Sequence, residues 1–108
     1  AKARRFVDAG GALALATNCN PGSAPTHSLP FAMALAARHC GVTPAEAIAA
    51  CTVNAAALLG LPDRGRIVPG CRADLLLLDC SDERELAFSL GGNPAAVVVC
   101  GGEVVRSR

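Results

Sequence analysis

Residues 12–17, "ALALAT", are apolar at every position up to Thr17 and stop abruptly at Asn18, ahead of the turn Asn20-Pro21-Gly22-Ser23. A short run without polar alternation reads as a strand of a parallel sheet, buried on both faces. Such a strand needs neighbours on both sides, and parallel neighbours are reached only through long crossover connections. The rest of the sequence offers no second run of this kind linked in that way. The expectation is an α/β chain that is the end of a larger body. A first residue other than Met, and an opening that reads as the last turns of a helix over residues 2–8 closed by Gly10-Gly11, point the same way.

Two helices are signalled after the turn. Ser28 is placed to cap a helix that has Pro30 in its first turn, reaches about Cys40 and is closed by Gly41. Thr43-Pro44-Ala45-Glu46 supplies a cap, a proline at the first helical position and a glutamate three residues after the cap, the signature of a capping box. Ile48, Cys51, Ala55 and Leu58 then recur at helical spacing as far as Gly60, which predicts one continuous helix.

Beyond Pro62 the pattern turns to strand. Short strands are expected at residues 66–68 and 73–79, with a Pro69-Gly70 turn between them and a helical turn over residues 82–87. The closing "AVVVCGGEVVR" reads as a hairpin through Gly101-Gly102. These strands are too few to close a sheet and leave edges open.

Composition narrows the class of function. A net charge of +1 without a basic stripe, and aromatics limited to three Phe, argue against nucleic acid as a partner. No apolar run approaches the length needed to span a bilayer, and no secretory leader is visible, so no membrane partner is expected. The six cysteines sit singly in apolar surroundings with no C-x-x-C pair, which fits free thiols acting as small hydrophobes in a reducing cytoplasm.

Two stretches carry a resemblance. "TVNAAALLGLPDRGRIVPGCRADLLLLD" resembles the closing segment of the amidohydrolase superfamily, in which a helix bearing T-x-N-A-A leads through a Gly/Pro turn to an A-D-L strand. Read as residues alone, Asn54 and Asp74 are more apt to satisfy backbone groups than to do chemistry. "ATNCNPGSAPT", with the following "SLPFAMALAARHCGVTPAEAIAACTVNAA" and the late "GGNPAAVVVCGGEVV", is similar to the imidazolonepropionase family, whose pattern at the strand end is T-D-x-N-P-G.

That resemblance implies a fold, a reaction and a site. The fold is a metal-dependent (β/α)8 TIM-barrel hydrolase with a small β-sandwich. Residues 1–62 would form the end of the barrel, its last strand and C-terminal helices, and residues 63–108 the C-terminal part of the sandwich. The reaction is hydrolysis of the cyclic amide of 4-imidazolone-5-propanoate to N-formimidoyl-L-glutamate in histidine degradation. The site would use one Zn2+ or Fe3+ ion, not expected to be held by this chain alone. Further implied partners are the small-molecule substrate, an upstream barrel segment and, for the intact enzyme, a homodimer.

Within that pattern Asn18 stands where the family has an aspartate that ligates the metal and shuttles a proton, so it is both the catalytic and the metal position, with a departure. A carboxylate binds a cation and accepts a proton; a neutral amide offers only an oxygen. Asn20, Gly22 and Ser23 match substrate-binding positions, whereas taken alone the same residues make a good turn. His27 and His39 match no ligand of the family, and His39 reads as a helix-terminus or solvent-facing residue. Two alternatives stand beside this reading: another cyclic amidase or deaminase of the superfamily, and a non-catalytic binding module derived from one. The Asn20-Pro21-Gly22 turn favours the imidazolone substrate over the first, while Asn18 favours the second.

Overall fold

The computed structural model describes residues 2–107. Its elements run α1 (Lys2–Asp8), α2 (Leu29–His39), α3 (Pro44–Cys51), α4 (Val53–Leu58), β1 (Leu75–Leu78), a 3-10 turn (Glu83–Ala87), β2 (Ala95–Cys100) and β3 (Glu103–Ser107). Helices thus occupy the first half, and an antiparallel sheet in the order β1-β2-β3 occupies the second.

The local signals of the sequence act as expected. α1 ends where the N–H groups of Gly10 and Gly11 donate to the carbonyls of Val7 and Phe6, both at 2.9 Å, the paired pattern that satisfies a helix C-terminus. Ser28 Oγ accepts the Phe31 N–H at the start of α2, and Cys40 caps its end. At α3 both arms of the capping box are formed: Thr43 Oγ1 accepts the Glu46 N–H at 3.2 Å, and Glu46 Oε1 accepts the Thr43 N–H at 2.8 Å. The same Glu46 carboxylate takes two bonds from Arg4 of α1, at 2.6 and 2.8 Å, tying the opening helix to α3.

The continuous helix predicted over residues 43–60 is instead broken at Thr52, whose φ of −122° and ψ of −90° leave the helical region. The Thr52 hydroxyl donates back to the Ile48 carbonyl at 2.7 Å, the kind of competing bond that bends helices. The break has a use. In an unbroken helix the Ala50 carbonyl would accept from the N–H four residues on; here it accepts from the Leu15 N–H at 3.1 Å.

Residues 12–17 are therefore not a strand, contrary to expectation, because none of the described segments offers them a ladder. Leu13 and Leu15 pack on the helical core, Ala14 and Thr17 are half-buried, and Ala12 and Ala16 face outward. Their backbone is tied by the helix break instead, through Leu15 N–H to Ala50, Asn54 Nδ2 to the Leu13 carbonyl at 2.9 Å, and the Cys51 thiol to the Leu15 carbonyl at 3.9 Å. The strand expected at residues 66–68 is also absent. Ile67 is 85% exposed with no strand alongside, and the loop is closed by the Arg72 N–H donating to the Asp63 carbonyl. Gly65, at φ +96°, lets that loop touch the helix break, since a Cβ there would lie 2.9 Å from the Thr52 carbonyl.

In the sheet, Leu75 to Leu77 of β1 face Val99 to Val97 of β2, with a bulge before Leu78. The β2–β3 hairpin turns through Gly101 and Gly102, at φ 59° and 86°, the left-handed pair that matches the twist of the flanking strands. Asp74 Oδ1 accepts the Gly101 N–H at 2.8 Å and a bond from Arg72 Nε at 2.8 Å, so the start of β1 is pinned to the hairpin tip. Asn54 and Asp74 both serve backbone groups, as the sequence suggested.

The core is built of small residues. Among the described residues the buried side chains are Met33, Val42 and six alanines, while Leu58, Leu59, Ile67 and Phe88 remain mostly exposed. Burying alanine removes little apolar area, and apolar burial is the main favourable contribution to folding. Exposed large hydrophobics on both halves are surfaces that another part of a structure would cover.

Candidate functional site

The site begins where residues 12–17 leave the helical core. Asn18 is exposed and is the one non-glycine residue with positive φ, 59°, among the described residues. Asparagine tolerates this left-handed conformation better than most side chains. On either side of it, side chains bond to the backbone. Thr17 Oγ1 accepts the Cys19 N–H at 3.2 Å, and Asn20 Nδ2 donates to the Asn18 carbonyl at 3.1 Å.

Asn20 also organises the turn that follows. Its Oδ1 accepts the N–H groups of Gly22 and Ser23, at 3.0 and 2.8 Å, and lies 3.2 Å from Ser23 Oγ. Its Nδ2 lies 3.1 Å from the same Ser23 Oγ. The Asn20 and Ala24 backbones close the loop with reciprocal bonds of 2.9 and 3.2 Å. The four residues singled out in the sequence, Asn18, Asn20, Gly22 and Ser23, are thus brought together in one polar turn. Its backbone donors are engaged with a neutral amide oxygen, and an anionic ligand that reached them would compete with that oxygen.

Beside the turn runs a groove of about 620 Å³ between residues 15–17 and α2, with Thr17, Ser23, Phe31, Leu35 and His39 among its lining. Asn18 and Asn20 are not part of that lining. The groove wall is largely apolar, and neither it nor the turn carries a carboxylate. His39 stands exposed in the last turn of α2, and His27 is exposed in the preceding loop.

The acidic groups with strongly lowered titration lie elsewhere. Arg4 holds the Glu46 carboxyl down to about 2, with help from the Thr43 N–H. Arg84 holds Asp82 down to about 2, and Arg72 lowers Asp74. These pairs cap helices and pin the hairpin. All six cysteines are free thiols, as the sequence suggested, and burial pushes the Cys51 thiol up to about 11, which disfavours its thiolate. No group of three or more His, Cys, Asp or Glu that could hold a metal ion is found among the described residues. No helix among them is long and apolar enough to cross a membrane.

Sequence reasoning missed two features of this region. The helix break at Thr52 is one; a hydroxyl residue within a largely apolar helical run was its only local sign. The other is the pairing of Thr17 and Asn20 around Asn18, visible in the sequence only as a hydroxyl one residue before Asn18 and an amide two residues after it.

The model of the amidohydrolase family matches residues 1–105. An imidazolonepropionase of Deinococcus deserti is 56% identical over 94 residues, which cover 87% of this chain and 24% of that protein. An imidazolonepropionase of Deinococcus radiodurans is 52% identical over 102 residues, 94% of this chain and 26% of that protein. One of Geobacillus kaustophilus is 49% identical over 106 residues, 97% of this chain and 25% of that protein. The chain spans about a quarter of the length of the curated relatives it matches.

Proposed function

The chain belongs to the amidohydrolase family, and we propose that it is the C-terminal quarter of an imidazolonepropionase-type hydrolase of the cytoplasm. The observation that carries this reading is identity of 45–56% to proteins named imidazolonepropionase over most of the chain. In the proposed whole, residues 1–62 close a (β/α)8 barrel and residues 63–108 contribute to a β-sandwich. The packing of Leu13 and Leu15 on the helical core and the change from helices to sheet after Pro62 support that division.

The site then lies at the tip of the last barrel strand, the end at which barrel enzymes place their chemistry. Asn18 occupies the position that faces the reacting group, and Asn20, Gly22 and Ser23 form the substrate-facing turn. The substrate is proposed to be 4-imidazolone-5-propanoate, whose carboxylate or ring carbonyl would take the Gly22 and Ser23 N–H groups in competition with Asn20 Oδ1. Family members are generally metal-dependent, with Zn2+ or Fe3+ the proposed ion. This chain's own donors do not fit such a centre: Asn18 offers one neutral oxygen, and no further ligand set converges with it among the described residues.

Opening a cyclic amide requires a group to take the proton of the attacking water. Asn18 cannot take it, because its amide has no basic site at ordinary pH. The prediction is that the protein as its source makes it turns over 4-imidazolone-5-propanoate weakly, and that Asn18→Asp raises kcat by about a hundredfold or more. Steady-state assay of both proteins tests this. Equal and negligible turnover by both, with the variant folded, would favour the non-catalytic binding module, the reading that Asn18 itself supports.

A further inference from the structure

The peptide unit joining residues 18 and 19 is held at both ends by side chains. Its carbonyl oxygen accepts from Asn20 Nδ2 at 3.1 Å, and its N–H, that of Cys19, donates to Thr17 Oγ1 at 3.2 Å. Asn18, whose carbonyl belongs to that unit, is the residue with φ of 59°. The plane of this peptide sets ψ of residue 18, and the bond from Cys19 N–H to Thr17 Oγ1 closes a ring that contains both φ and ψ of residue 18, so the two bonds together hold the backbone from which its Cα–Cβ bond projects.

We propose that Thr17 and Asn20 are positioning residues that clamp the 18–19 peptide and so aim the side chain of residue 18 into the site. The proposal rests on the functional reading above for what residue 18 is aimed at, while the clamp itself rests on geometry alone. The orientation of the Asn20 amide is set by its partners. Turned the other way, its NH2 would face the N–H donors of Gly22 and Ser23, which Oδ1 now accepts at 3.0 and 2.8 Å. One side chain therefore does two things: its oxygen takes the N–H groups of Gly22 and Ser23, and its nitrogen holds the Asn18 carbonyl, with Ser23 Oγ within reach of both.

These two roles give the test. Asn20→Asp keeps an acceptor for Gly22 and Ser23 but has no donor for the Asn18 carbonyl. Thr17→Val keeps the shape of threonine and loses the acceptor for Cys19, whereas Thr17→Ser keeps the hydroxyl. The experiment uses the protein as its source makes it, labelled with 13C and 15N on asparagine, and reads the Cα shift of residue 18. Residue 18 is expected to show the left-handed shift in the parent and in Thr17→Ser, and to lose it in Asn20→Asp and Thr17→Val. A residue 18 that keeps its shift in both of the last two variants would overturn the clamp.

Activity is read in the Asn18→Asp background with 4-imidazolone-5-propanoate. Thr17→Val should lower kcat about tenfold to a hundredfold with a smaller effect on KM, and Thr17→Ser should restore it, whereas Asn20→Asp, within the substrate-facing turn, should lower kcat and raise KM together. Unchanged kcat in a protein whose residue 18 has moved would overturn the positioning role. No turnover in any of these proteins would count against the proposed substrate, and the shift of residue 18 would still decide the clamp.

Discussion

Residues 12–17 and Leu75–Leu78 are comparable apolar runs, yet only the second becomes a strand. The difference lies in what the chain brings alongside. β1 has its partner 20 residues later in β2, which is in turn paired by β3 through a two-glycine turn. Residues 12–17 have no such partner among the described residues, and their polar groups are met instead by the break between α3 and α4. Apolar pattern sets which face is buried, and ladder formation depends on a second segment that the pattern of the first cannot supply.

The first way to break this comparison is Asn54→Ala. It removes the side chain that holds the part-buried Leu13 carbonyl and leaves that acceptor without its donor. The expected cost is about 1–3 kcal/mol, read as a lower urea midpoint, with faster amide exchange at residues 13–15 and unchanged exchange in β1–β3. The second is Gly101→Val, which forces a β-branched residue to φ of 59° with its Cβ about as close as 3.0 Å to Arg72. About 1–2 kcal/mol should be lost, now with faster exchange in β2 and β3 and none at residues 12–17. If either substitution loosened both regions equally, the two would be one cooperative unit and the contrast would fail.

The smallest effect is expected from pH. The Glu46 carboxyl is lowered from its ordinary 4.5 to about 2, mainly by Arg4 and then by the Thr43 N–H. A carboxyl lowered in the folded state contributes stability that is complete above its ordinary value and is lost as pH falls toward the folded one. Stability should therefore decline from about pH 4.5 to about 2, and Glu46→Gln should flatten part of that decline. Asp74, lowered by Arg72 and the Gly101 N–H, acts in the same direction at the hairpin. Exchange measured across this window would show whether acid loosens α3 and the segment it holds before the sheet.

Much of the local structure was legible in the sequence. Ser28, Thr43 and Glu46 act within a turn of their own position, and Gly101-Gly102 sets its hairpin by its own backbone angles, so each could be read from neighbours. The 3-10 turn begins at the Asp82 cap, within the predicted span. What could not be read depends on distant partners. The helix break at Thr52 is tied to the segment around Leu15 and to the loop at Gly65, neither of which the helical periodicity of residues 43–60 contains. Residues 66–68 failed as a strand for the same reason as residues 12–17.

The candidate site was legible as a turn and as a resemblance to T-D-x-N-P-G, with Asn18 out of pattern. Its internal wiring was not. That Asn20 spends its oxygen on Gly22 and Ser23 and its nitrogen on Asn18 follows from backbone angles that no residue type dictates.

The proposal that this chain is one quarter of a larger hydrolase is tested by the intact mass of the protein from its natural source. The account predicts a product about four times the 10.9 kDa of this chain, in keeping with the 24–26% of the relatives' length that it spans. A natural product of 10.9 kDa would contradict it.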